Sequence, residues 1–339
     1  MNTFSNVRCV GAALALLVAA ALPVDGQAPD SMALIEQGRG LTRQLFAGDA
    51  QALFPRLSPE LQRLMGGEAG IQAFATQVAS TLGNETGTEV EEVVAFQGAA
   101  FYTRIARFEG QPNGTVTISW AWRGDTILTA GVRPTPQPAP SDYVDYQTKT
   151  ALRLPFDDEF TVYWGGRHPH QNYHVVYPNQ RFAYDLVIAR DARTHTGDGT
   201  RNEDYYCFGR PILAPAAGVI TVAVDTLPDN PPGEMTPAAP AGNHVIIDHG
   251  NGEYSLLAHL QSGSVQVSAG DAVEAGDTLA ACGNSGNTSE PHLHYHLQDA
   301  PEFGPAARGM PAFFVDYLAN DQPVERGEPV RGQRIRPRR

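Results

Sequence analysis

Apolar positions recur at helical spacing over residues 31–82 and then switch to a period of two. In "SMALIEQGRGLTRQLFAG", Leu34, Leu41 and Leu45 share one helical face. "LSPELQRLM" opens with Ser58 in a capping position and Pro59 in the first turn. In "GIQAFATQVASTL", Phe74, Val78 and Leu82 again line one face. The segments "EVEEVVAF", "AAFYTRIARFE", "GTVTISWAWRG" and "TILTAGVRP" then read as four strands, rich in Val, Ile, Thr and aromatics and separated by turn residues. Helices followed by an antiparallel meander predict a small α+β domain.

The Pro-rich stretch "RPTPQPAPSD", residues 133–142, favours extended backbone and reads as a linker. Beyond it the chain becomes a series of short strands with Gly, Asn and Pro turns: "RPILAPAAGVITVAV", "NHVIIDHGNGEYSLLAHL" and "SVQVSAGDAVEAGDTLAACGNSGNTSEPHLHYHL". Asn251-Gly252 is a strong hairpin signal. This predicts a second, mainly antiparallel β domain. The last strand segment places His292, His294 and His296 at period two, so on one face, with Leu293, Tyr295 and Leu297 on the other. Three imidazoles in register point to a metal or catalytic site rather than to a solvated polar face. All ten histidines lie beyond the linker, which assigns any imidazole chemistry to the second domain.

Charge and cysteine usage narrow the picture. A formal net charge of -13 excludes general binding to nucleic acid or to an anionic membrane. Arg8, the apolar run Val10–Leu22 and the small residues near Gly26 to Ala28 read as a secretory signal peptide over 1–27. No membrane span is expected once it is removed, and the mature protein is expected to be secreted or periplasmic. Two cysteines, Cys207 and Cys282, then remain of three. In an oxidising compartment they make either one disulfide or two isolated thiols, and with no CxxC neighbour they indicate no zinc-thiolate site. The basic stretch "VRGQRIRPRR" lacks apolar periodicity and is expected to be disordered.

Over residues 170–300 the ordered motifs Asp-His-Gly, Ala-His-Leu, Gly-Asp-x-Val, Gly-x-Ser-Gly and His-Leu-His resemble the lysostaphin-type (LytM-type) zinc endopeptidases. The first domain resembles, in architecture alone, the nuclear-transport-factor-2-like domains. The expected organisation is therefore a signal peptide (1–27), an α+β accessory domain (28–133), a Pro-rich linker and lead-in (134–155), a lysostaphin-like metallopeptidase domain (156–320) and a basic tail (321–339). The resemblance implies a Zn2+ cofactor, peptidoglycan peptides as substrate, and hydrolysis of a peptide bond by zinc-activated water. It implies His294 and Asp185 as zinc ligands and His259 and His292 as catalytic imidazoles.

One departure bears on the metal. The family's first motif has a His four residues before the ligand Asp, and here that position is Arg181, which cannot ligate zinc. Catalytic zinc usually keeps three protein ligands. His174, eleven residues before Asp185 across a turn at Pro178-Asn179, is the best candidate for a displaced third ligand, with His168 and His170 as fallbacks. His195, His244 and His249 read as structural, and His296 as support behind a ligand. Two rivals remain. Ser285 in "CGNSGN" would be the nucleophile of a serine hydrolase, but no ordered His and Asp precede it. Arg181 leaves room for an inactive lysostaphin-like domain serving as a cell-wall binding or regulatory module.

Overall fold

The computed structural model describes residues 31–96 and 98–338; the expected signal peptide lies outside them. The described chain divides between Thr135 and Pro136 into two compact units.

The first unit opens with helices α1 (Ser31–Phe46), α2 (Ala50–Leu53), α3 (Pro59–Met65) and α4 (Glu68–Leu82). The Ser58 hydroxyl accepts from Leu61 N at 3.2 Å and Pro59 fills the first turn, so α3 starts where the sequence places it. Gly66, at φ 71°, ends it in the left-handed conformation. Strands β1 (Glu85–Phe96), β2 (Ala99–Phe108), β3 (Val116–Arg123) and β4 (Thr126–Pro134) follow as an antiparallel meander in that order. Leu41, Leu45, Ile71, Val78 and Leu82 bury against Tyr102, Ile118 and Trp120 of the sheet. A Cβ at Gly38 would stand 2.4 Å from the Tyr102 ring, so the glycine sets how closely α1 lies on β2. This is the predicted α+β arrangement.

The second unit contains β5 (Phe160–Trp164), β6 (Tyr184–Val187), β7 (Pro211–Leu213), β8 (Gly218–Val224), β9 (Asn243–Asp248), β10 (Tyr254–Leu260), β11 (Ala272–Val273), β12 (Thr278–Ala281), β13 (Leu293–Gln298), β14 (Gly309–Met310), β15 (Phe314–Ala319), β16 (Gln322–Gly327) and β17 (Arg334–Pro337). Eleven strands form one antiparallel sheet in the order β11-β8-β9-β10-β13-β6-β5-β17-β15-β16, with β14 beside β13. Strands β12 and β7 pair separately. Leu293, Tyr295 and Leu297 of β13 pack into the core with Leu257, Leu186 and Phe314, as the alternation predicts. Each leucine buried this way contributes about 2 kcal/mol. Among the described residues no helix is long and apolar enough to cross a membrane.

Two expectations are corrected. Residues 321–338 are not a disordered tail. Arg334 and Ile335 pair with Thr161 and Phe160 of β5, and Ile335 is fully buried. The flanking arginines stay at the surface on carboxylates: Arg334 on Glu159 and Asp321, Arg336 on Asp321. One buried isoleucine plus backbone pairing suffices, and neither produces a periodic sequence signal. The lead-in over 136–155 likewise packs with the second unit, where Leu152 and Leu154 are buried. Glu253, fully buried, clasps it by accepting from Tyr146 Oη (2.7 Å), Lys149 N (2.6 Å), Thr150 N (2.8 Å) and the Thr150 hydroxyl.

Candidate metal centre

Three neighbouring strands position most of the site. Asp185 on β6 is directly opposite His294 on β13, and His294 is opposite Ala258 on β10. The next residue, His259, sits at a break in the β10–β9 register with φ 63°. A bulge of this kind re-aims one side chain out of the alternation. Its backbone is pinned on both sides: His259 N donates to Ala241 O at 3.1 Å, and Gly283 N donates to His259 O at 3.1 Å. His174 comes from the short 3-10 turn Tyr173–Val176.

His174, Asp185 and His294 are buried, and one ligand atom from each lies within 4.8 Å of the others. Asp185 Oδ1 faces His294 Nδ1 at 2.9 Å, and Oδ2 faces His174 Nε2 at 3.6 Å. His292 Nε2 is 3.5 Å from Asp185 Oδ1. The His259 and His292 ring centroids are 4.8 Å apart, and those of His259 and His294 5.7 Å. All five residues singled out in the sequence therefore meet in one place.

The donors fit a metal ion. His174 Nε2 is buried and has no hydrogen-bond partner. Such an atom costs about 1–3 kcal/mol unless something satisfies it. Two imidazole nitrogens and a carboxylate are a donor set that suits zinc.

Electrostatics sort the groups. Burial alone would raise Asp185, but His174, His292 and His294 around it hold its carboxyl well below the usual range. Burial pushes His174 down to about 3 despite Asp185, so the ring is neutral with a lone pair available. Burial, reinforced by His292 and His294, holds His259 well below the ordinary histidine value. His292 goes the other way: burial is the largest influence and opposes its charge, yet Asp185 and Glu290 together outweigh it and raise the group. One imidazole is thus held neutral, and its neighbour is biased to hold a proton.

The remaining candidates fall outside the cluster. His168 and His170 stack on each other at 5.7 Å. The Arg181 guanidinium lies 5.4 Å from the Phe182 ring centroid. His195, His244 and His249 each bond a backbone carbonyl through Nδ1. Ser285 is fully buried: its hydroxyl donates to Leu260 O at 2.7 Å and accepts from Asn243 N at 2.9 Å. Those bonds remove it as a nucleophile. Its carbonyl instead accepts from His259 Nδ1 at 2.9 Å.

The sequence reading missed three contributors. Gln298 continues the period-two face of His294 and His296, so extending the alternation one step would have found it. Asn172, two residues before His174, carries the Asn-x-His signal of a side chain folding onto its own backbone. Asn284 ties the long segment between β6 and β7 to the one between β8 and β9: its Nδ2 donates to Asn202 Oδ1 and to Asn230 O, both at 3.0 Å. Cys207 and Cys282 form a disulfide, S–S 2.08 Å.

Residues 202–304 match the family model described as Peptidase family M23. That segment contains His259, His292 and His294; His174 and Asp185 precede it. The chain is 31% identical over 108 residues to the cell division protein DipM of Caulobacter vibrioides, which covers 31% of this chain and 16% of DipM. It is 40% identical over 57 residues to the peptidoglycan DD-endopeptidase ShyA of Vibrio cholerae, 17% of this chain and 13% of ShyA. The matches thus span about a sixth or less of these relatives' length. Among solved structures, the catalytic domain of the prophage-encoded M23 protein EnpA from Enterococcus faecalis aligns with TM-score 0.31 and 19% identity, covering 48% of this chain and 95% of that one. The catalytic domain of lysostaphin from Staphylococcus simulans aligns with TM-score 0.27 and 18% identity, covering 45% and 88%. Over residues 202–304 the chain thus carries a domain that matches peptidase family M23.

Proposed function

We propose that the second unit is a secreted or periplasmic zinc metalloendopeptidase that hydrolyses peptide bonds of bacterial peptidoglycan. The observation that carries this reading is the convergence of one ligand atom each from His174, Asp185 and His294 within 4.8 Å, with His259 and His292 alongside. His174 fills the place that Arg181 leaves open. The peptidoglycan substrate rests on the similarity to ShyA. The disulfide fits an oxidising compartment.

When bound, zinc supplies Lewis acidity, polarising a peptide carbonyl and bringing the pKa of a water to about 7. His174, Asp185 and His294 would hold the ion. His259 donates through Nδ1 to the Ser285 carbonyl, so its Nε2 lone pair is free to take a proton from the attacking water. His292 Nδ1 lies 2.9 Å from the Glu290 carbonyl, which commits that nitrogen as a donor. Its Nε2, biased by Asp185 to hold a proton, is suited to a developing oxyanion or a leaving amine.

The test is metal content followed by turnover. Protein purified without chelator should carry about one zinc per chain and release peptide fragments from purified peptidoglycan. Chelator or His259→Ala should abolish release. No zinc, no uptake on adding it, and cell-wall binding that survives both treatments would replace this reading with a binding module.

A further inference from the structure

Behind two of the three imidazoles that face Asp185, His174 and His294, lies a buried polar chain that ends in an anchored amide. Behind His294 the chain runs along one face of β13. Gln298 Nε2 donates to the Ala300 carbonyl at 2.7 Å and to the Glu302 carbonyl at 3.0 Å. Carbonyls only accept, so the amide orientation is determined and Oε1 must face the other way. Oε1 lies 2.8 Å from His296 Nε2, which therefore donates. A neutral His296 then has only an acceptor at Nδ1, which lies 3.0 Å from His294 Nε2. His294 Nε2 must donate in turn, which leaves Nδ1, 2.9 Å from Asp185 Oδ1 and sharing a proton with it, as the nitrogen a metal would take.

The second chain is shorter. Asn172 Nδ2 donates to Gly166 O at 3.1 Å and Ala183 O at 2.9 Å, while its Oδ1 accepts from His174 N at 3.1 Å. The same Oδ1 lies 2.8 Å from His174 Nδ1. That nitrogen donates, and the His174 lone pair falls on Nε2, again toward Asp185. Asn172, His296 and Gln298 are all fully buried, so no water exchange competes with these bonds.

We infer that Asn172 and the His296–Gln298 pair are positioning residues that pin a proton on His174 Nδ1 and on His294 Nε2, so that the ring nitrogens turned toward Asp185 are the ones kept for a metal. The inference rests on the metal-centre reading above and adds the residues that make the centre pre-organised. Hydrogen-bond partners behind ligating imidazoles are worth about 10–100-fold in metal affinity. Cutting the chain at Gln298 frees His296 to carry its proton on Nδ1. Donor would then face donor at His294, which would give up its Nε2 proton and keep one only on the nitrogen meant for the metal.

The test has two readouts, neither of them activity. In metal-free full-length protein labelled with 15N at histidine, two-bond 1H–15N spectra at pH 8 should show His294 protonated at Nε2 and His174 at Nδ1. A His294 that carries no proton on Nε2 overturns the inference whether or not the protein binds zinc. Chelator competition then gives zinc affinity. His296→Leu, Gln298→Leu and Asn172→Leu should each weaken it about 10–100-fold. His296→Asn, whose amide oxygen can accept where Nδ1 did, should recover most of the loss. Leucine variants that fold and bind zinc as the wild type does would overturn the inference. Should they fail to fold, the wild-type spectrum and His296→Asn still decide. Locked tautomers in a protein that takes up no zinc would support the lock and refute the metal reading, so the two failures are separable.

Discussion

Replacing both Cys207 and Cys282 by alanine should destabilise the second unit by about 4 kcal/mol and leave the first unit unchanged. The bridge joins residues 75 apart in sequence. Closing a loop of that size removes roughly 15 cal/mol/K from the unfolded chain, about 4.5 kcal/mol at 25 °C on the chain-entropy account. The native state should change little. Arg210 O accepts from Cys282 N, and Cys282 O accepts from Gly209 N, both at 2.8 Å, so backbone bonds hold the same two segments without the sulfurs. Native-state hydrogen exchange reads the effect unit by unit. Core amides of β10 and β13 should exchange about 10³-fold faster in the double variant, while those of β2 and β3 keep their rates. A change below about tenfold at β10 and β13, or an equal change in both units, would refute the argument that the bridge acts through the unfolded state of the second unit alone.

Glu253→Gln should cost about 2 kcal/mol, because each carboxylate oxygen accepts one backbone N–H and either amide orientation turns a donor toward a donor. Burial would raise the Glu253 carboxyl, but Thr150, Lys149 and Tyr146 donate to it and hold it below its usual range. Its contribution is therefore present above the unfolded value of about 4.3 and is lost as pH falls through the lower folded value. Urea midpoints of wild type and variant should differ at pH 7 and converge in acid; a gap that stays constant below pH 4 would contradict the linkage. At Gly283 an added Cβ would stand 2.2 Å from Gln261 N. Gly283→Ala should thus shift the loop that holds the His259 carbonyl, lowering both peptide release and second-unit stability; wild-type turnover would count against it. Chelation should lower the thermal midpoint of the second unit alone, with zinc restoring it, since an ion at a thousand times its Kd adds about 4 kcal/mol. Unchanged scanning calorimetry would leave no resident metal to remove.

The sequence exposed those parts of the molecule that repeat. The alternation across residues 292–297 marked one face of β13 as core and the other as chemistry, because a strand between two neighbours leaves its side chains no third direction. The α3 cap was readable for the same local reason. His174 was not readable from pattern: it sits on one short turn, and only the resemblance and the misfit of Arg181 pointed to it. The bulge at His259 leaves no mark in "SLLAHL", since contacts from Ala241 and Gly283, distant in sequence, impose it. The C-terminal strands were missed because a single buried isoleucine has no period.

The backbone at His259 has one more consequence. A φ of 63° is a conformation that glycine and asparagine adopt readily and that costs other residues about 1–3 kcal/mol. Folding and chemistry therefore ask for different residues at position 259. A domain that kept this bulge but no longer needed an imidazole would gain stability by drifting to glycine. Read across descendants of this chain, the residue at 259 is a historical record: histidine persists only while selection for turnover outweighs the pull of the backbone.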